Sequence, residues 1–166
     1  GYGGMVSFGH AAFIGIGAYC AGISQFYGIT NGWAHVGFSI VICGFAGLLI
    51  GYLALRTSGI YFIMITLAFA QMLFFLFVSL EVYGGDDGMS IDRADFGFID
   101  LYDPLRLYFL IWVCLVIVGL MLMLIVRSRF GVTLRAIKSN ESRVEAMGLS
   151  PLRYKMVGYV ISAIIC

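Results

Sequence analysis

LYFLIWVCLVIVGLMLMLIV, residues 107–126, is a run of 20 residues without a charged side chain. As a helix rising about 1.5 Å per residue it covers roughly 30 Å, the thickness of a bilayer's hydrocarbon core. Polar and apolar residues do not alternate along it, so it does not read as a barrel strand. In lipid each backbone N–H and C=O needs a partner within the protein, and a helix supplies one locally. The flanks give the run a direction. Residues 84–106 carry six aspartates against Arg93 and Arg106, a net of −4. Residues 127–156 carry seven arginines and lysines against Glu141 and Glu145, a net of +5. Basic loops stay on the cytoplasmic side. The expected arrangement therefore has 127–156 in the cytoplasm and 84–106 in the periplasm or outside.

Three further runs reach spanning length: Phe8–Ile29, Trp33–Leu55 and Ile60–Tyr83. A fifth begins near Tyr154 and stops at Cys166. The expected fold is all-α, a polytopic transmembrane helical bundle with four full spans and a truncated fifth. Residues 1–166 then form one transmembrane domain, incomplete at both ends, with the loop 127–156 inside it. Counting helices back from that loop puts Arg56 inside and the Thr30–Gly32 turn outside. Arg56 obeys the charge rule without having been used to set it. Composition agrees: 61% of residues are hydrophobic and 11% charged, against about 25% charged in soluble domains, and mean hydropathy is +1.00. The four cysteines, Cys20, Cys43, Cys114 and Cys166, follow no metal or redox spacing and read as small buried helix residues.

Glycine is abundant in these runs because membrane helices associate through close packing of small residues. Ser7, Ala11, Gly15, Ala18 and Gly22 recur at helical spacing, and so do Gly37, Gly44, Gly47 and Gly51. Each row predicts a smooth helix face. Gly1, Gly3 and Gly4 ahead of Ser7 predict a chain break, with Ser7 as an N-cap. A helix start within the membrane directs free N–H groups at what it faces, so this break could line a path or serve packing alone. Four polar residues in apolar runs are candidates for a translocation path: Ser7, His10, Thr66 and Gln71. Each also has a plain reading as a hydrogen bond across a helix interface.

The basic loop carries its own helix signals. Asn140 can cap a short helix Glu141–Met147, Gly148 suits its C′ position, and Ser150-Pro151 opens another helix. Ala136, Ile137, Val144, Met147 and Leu149 add apolar contacts that a loop resting on anionic lipid would not need. The loop reads as either a lipid-held basic segment or a docking site for a partner.

Catalytic and metal motifs are missing. There is no G-x-x-x-x-G-K-[ST] and no H-E-x-x-H. His10 and His35 lie in separate runs, and no paired carboxylates sit in the membrane runs. An enzyme, a resident metal and a cofactor are not expected. A transporter built this way needs an external motor. The other readings are a secondary transporter or channel driven by an ion gradient, and a structural membrane subunit without a path.

Four blocks resemble one family. They are GYGGMVSFGHAAFIGIGAY (1–19), LRTSGIYFIMITLAFAQM (55–72), GGDDGMS (84–90) and FGVTLRAIKSNESRVEAMGLSPLRYKMVGYVISA (130–163). They are similar, in the family's order, to permease subunits of branched-chain amino acid ABC transporters, of the M type. The resemblance implies an importer in the bacterial inner membrane. Its expected partners are two ATP-binding subunits, a second paralogous permease subunit, a periplasmic substrate-binding protein and the lipid bilayer, with no nucleic acid. It also implies an ATPase-coupling segment at Arg135–Gly148, which holds Arg135, Ala136, Asn140, Glu141, Arg143, Glu145, Ala146 and Gly148. Glu145, Ala146 and Gly148 match the core of that segment. The chain departs from the family's pattern at Met5, where Gln is frequent, and at Tyr83, where Thr is frequent. Related permeases move urea or short amides, so the substrate stays open between these and Leu, Ile or Val.

Overall fold

The computed structural model describes residues 3–28, 31–80 and 103–166. They form seven helices: α1 His10–Phe26, α2 Gly32–Ala54, α3 Ile60–Val78, α4 Pro104–Arg127, α5 Arg129–Ser139, α6 Glu141–Ala146 and α7 Pro151–Ile165. α2, α3 and α4 are long and apolar enough to cross a membrane. α1 has 17 residues, about 26 Å, and falls short of the expected Phe8–Ile29 run. Its start is delayed because Gly9, rather than Ser7, occupies the N-cap. Its end comes at Gly28, whose φ of +78° leaves the helical region. Glu81–Tyr83 of the expected third span, and the acidic stretch up to residue 102, lie outside the described residues. α7 begins at Pro151 with Ser150 in the N-cap position, the start that Ser150-Pro151 predicts, and it carries the apolar run expected from Tyr154.

α1, α2, α3 and α7 share one core. Phe13, Ile16 and Cys20 of α1 meet Cys43, Ile50 and Ala54 of α2, Phe62 of α3, and Tyr159 and Ala163 of α7. Gly44, Gly47 and Gly51 of the second row of small residues face α7, whereas Gly37 meets nothing. A Cβ at Gly47 would lie 2.9 Å from the Ala163 Cβ, and one at Gly51 would lie 3.0 Å from the Tyr159 ring. In the first row Gly22 is buried, but the middle of the row does not behave as expected. Nothing lies within 4 Å of a Cβ built on Gly15, and Ala11 and Ala18 are exposed. α1 is rotated so that its larger residues, Phe13 and Ile16, enter the core, which leaves the smooth face beside an open groove. A buried hydrogen bond of 2.9 Å between Ser24 Oγ and His35 Nδ1 ties α1 to α2. Cys20 and Cys43 are buried as expected, whereas Cys114 and Cys166 are exposed.

α4 has no buried residue and packs chiefly on α5. A helix apolar on all sides is one for lipid or for another chain. It starts with Asp103 at the N-cap position and Pro104 in the first turn, and Asp103 pairs with Arg106 at 3.6 Å. It ends at Ser128, which closes α4 and opens α5 with an extended backbone, φ −71° and ψ 168°. The chain turns sharply there.

Candidate functional site

The loop 127–156 is mostly helical. α5 is a separate amphipathic helix that turns Leu134 and Ile137 inward. Sequence reasoning missed it as an element, although Phe130, Leu134 and Ile137 already had helical spacing. Its corner with α4 depends on Gly131. A Cβ at that position would run into the Val126 carbonyl oxygen, so no side chain fits. Arg135 secures the same corner: its Nη2 donates to the Val126 carbonyl at 3.2 Å and its Nε to the Gly131 carbonyl at 3.4 Å. That guanidinium caps the last turn of α4.

α6 has a defined cap at each end. The Asn140 Oδ1 accepts the Arg143 N–H at 3.1 Å, the expected N-cap. At the other end Gly148 N–H donates to the Glu145 carbonyl at 2.9 Å, and Leu149 N–H to the Val144 carbonyl at 3.3 Å. Gly148 has φ +82°. This pair of bonds with a left-handed C′ glycine is a Schellman closure. The helix stops at Ala146 instead of Met147, because Met147 already serves as the C-cap, with ψ 3°. Val144 is buried, 2% exposed, while Met147 is 63% exposed. Glu141, Arg143, Glu145 and Ala146 are exposed too, and Ala136 is half-buried. α6 thus holds itself by Val144 and presents a mixed apolar and charged face outward.

Among the contacts that tie α5 and α6 to the bundle are an ion pair with α7 and a close approach to the N-terminal segment. Lys155 Nζ of α7 reaches both carboxylate oxygens of Glu141 at 2.7 Å. At the N-terminal segment, a Cβ on Gly4 would lie 3.0 Å from Lys138 Cγ of α5. A space of about 570 Å³ between them is bordered by Gly4, Leu55, Ser58, Ile137, Glu141 and Lys155. The turn after α2, which carries Arg56, therefore shares one end of the bundle with the basic loop. Arg56 stacks over the Tyr52 ring at 4.6 Å.

The four path candidates separate into three places. Ser7 accepts the Gly9 N–H on its Oγ at 3.1 Å. His10 Nε2 shares a hydrogen bond of 2.7 Å with Ser162 Oγ of α7. Both border a cleft of about 250 Å³ between α1, α7 and the end of α4. Thr66 is 0% exposed, and its hydroxyl donates to the Ile63 carbonyl at 2.9 Å. It packs against Gly9 and serves the contact between α1 and α3. Gln71 lies across from Gly15 in the open groove between α1 and α3, about 460 Å³, with Tyr19 and Phe74. The sequence did not single out Tyr159 and Ser162, which join Ser7 and His10 in the first cleft. Their signal was a hydroxyl pair three residues apart in the apolar run MVGYVISAIIC.

Comparison with known proteins follows the same lines. The profile of the branched-chain amino acid transport system permease component matches residues 1–166. The high-affinity branched-chain amino acid transport system permease protein LivM of Salmonella typhimurium (strain LT2) is 30% identical over 189 aligned positions, covering 98% of this chain and 44% of the relative. The protein of the same name from Escherichia coli (strain K12) is similar to the same extent. The chain thus spans less than half the length of the curated relatives it matches. No solved structure matches it.

Proposed function

The chain belongs to the branched-chain amino acid transport system permease family, and from that premise we propose that it is a membrane permease subunit of an ATP-driven importer. Its substrates are Leu, Ile and Val, or closely related small amino acids and amides. It works with two ATP-binding subunits, a second permease subunit and a periplasmic substrate-binding protein, in the bacterial inner membrane. α2, α3 and α4 cross the bilayer, with 127–156 cytoplasmic and 84–106 on the far side.

The observation that carries this reading is the outward face of α6. Its fold is fixed by Asn140 and Gly148, and its exposed surface joins Met147 to Arg143 and Glu145. A surface of that mixture suits a protein groove better than bare lipid. Arg135, Ala136, Asn140, Glu141, Arg143, Glu145, Ala146 and Gly148 form the coupling segment, with roles that differ. Glu145 and Ala146 meet the ATPase. Asn140 and Gly148 shape the helix. Arg135 fixes the corner with α4, and Glu141 passes displacement to α7 through Lys155. Motion of α5 also reaches the segment before α1 through Lys138 and Gly4.

The test is leucine uptake by the complete transporter in proteoliposomes, with the binding protein on one side and ATP on the other. Uptake should require hydrolysable ATP and be insensitive to ionophores. Uptake that proceeds without ATP and collapses with an ionophore would replace this reading with that of a gradient-driven carrier.

A further inference from the structure

Basic charge is not spread evenly over the loop 127–156. Residues 127–139 carry Arg127, Arg129, Arg135 and Lys138 and no acid, a net of +4. Residues 140–156 carry Arg143, Arg153 and Lys155 against Glu141 and Glu145, a net of +1. The dense half is the one that leaves the membrane. Arg127 is the last residue of α4, and Met121, Met123 and Leu124 just before it are more than half exposed. The corner keeps the start of α5 beside the last turn of α4. The Gly131 backbone lies against the Val126 carbonyl, and the Arg135 guanidinium donates to that same carbonyl at 3.2 Å. The rotation of α5 is set by its apolar face: Phe130 and Leu134 approach Gly158 of α7, and Leu134 also approaches Gly3. The opposite face is open. Arg129 and Val132, three residues apart, are both exposed, Val132 by 55%. Among the described residues neither Arg127 nor Arg129 pairs with a carboxylate, since Asp103 is taken by Arg106 and Glu141 by Lys155.

We propose that the α4–α5 corner is a binding surface for anionic phospholipid of the cytoplasmic leaflet. Arg127 and Arg129 meet the headgroup phosphates, and Val132 enters the boundary between headgroups and acyl chains. Charge complementarity decides the occupant. Basic residues clustered directly cytoplasmic of a spanning helix are drawn to anionic lipid, over a range of about one Debye length. Arginine suits a phosphate, because its planar fork donates two parallel hydrogen bonds. An exposed valine one turn from an arginine fits an amphipathic helix that lies in the interface. α6 differs, because its exposed face mixes Arg143 with Glu145. The two helices thus take different partners, lipid for α5 and protein for α6. The inference rests on α4 crossing the membrane with 127–156 cytoplasmic, and not on what the transporter carries.

The test places cysteine at Val132 in the full transporter, with Cys114, Cys166 and any other reactive cysteine replaced by alanine, and attaches a fluorophore there. The transporter is reconstituted in phosphatidylcholine vesicles that contain phosphatidylglycerol or phosphatidylcholine bearing a nitroxide close to the headgroup. Both labelled lipids should quench the fluorophore. Phosphatidylglycerol should do so with about fivefold preference, the fold-change for one basic side chain at an anionic surface. Arg127→Gln combined with Arg129→Gln should bring the preference to about one, as should ~1 M salt, which shortens the Debye length to about 3 Å. Arg143→Gln combined with Arg153→Gln should leave it unchanged. Equal quenching by the two lipids in the parent would overturn the recognition of anionic headgroups. The same loss of preference in both double variants would overturn the corner as its place. Absence of quenching by either lipid, with shielding from aqueous iodide only when the ATP-binding subunits are present, would assign the face to those subunits instead. Leucine uptake by the same vesicles decides the importer reading separately.

Discussion

Gly47 and Gly15 look alike in the sequence and differ in the fold. Each belongs to a row of small residues at helical spacing. Only Gly47 faces another helix, with Ala163 at 2.9 Å from where its Cβ would be. In lipid no hydrophobic force pulls helices together, so lost contact between backbones is not made up elsewhere. Gly47→Leu should push α2 from α7 and cost about 1–3 kcal/mol, the usual penalty of overpacking. The thermal midpoint of the detergent-solubilised full-length protein should drop accordingly. Gly15→Ala should leave that midpoint unchanged or slightly raised, because the site is open and alanine favours helix. Equal losses from both would contradict the assigned rotation of α1. That rotation was not legible in the row of small residues. It is set by Phe13 and Ile16, whose partners Tyr159 and Phe62 lie far away in sequence.

At the scale of the element, legibility followed locality. Asn140, Gly148 and Ser150-Pro151 marked helix ends that the fold keeps to within one residue, because a cap is decided by the three or four residues around it. The α4–α5 corner was invisible, because it depends on Gly131 meeting the Val126 carbonyl after the chain has turned. The first span was overestimated by its apolar composition, which continues through Gly9 and Gly28 although the helix does not. Of the path candidates, Ser7 and His10 share a cleft with Tyr159 and Ser162, whereas Thr66 and Gln71 lie elsewhere. The caps yield a prediction for α6. Asn140→Ala should cost about 1 kcal/mol of local helix stability. Hydrogen exchange at the Val144 and Glu145 amides should then quicken about fivefold, since a six-residue helix opens locally. Exchange as slow as in the parent would mean that Val144 packing alone holds the helix.

Across the whole molecule, the basic loop, the Arg56 turn and the segment before α1 gather at one end of the bundle. In the proposed orientation that end faces the cytoplasm. Cysteine at Asp103 should react with an impermeant maleimide in intact cells, and cysteine at Ser139 only after lysis. The opposite pattern would invert the molecule and take the coupling segment away from the ATPases. The most direct test of that segment combines Glu145→Lys with Gly148→Pro. The first reverses an exposed charge. The second imposes a φ near −65° where Gly148 has +82° and removes its bond to Glu145. ATP-driven leucine uptake is measured together with co-purification of the ATP-binding subunits from the same cells. The account predicts that uptake is abolished while the permease remains inserted in the membrane. Normal uptake with normal co-purification would contradict it.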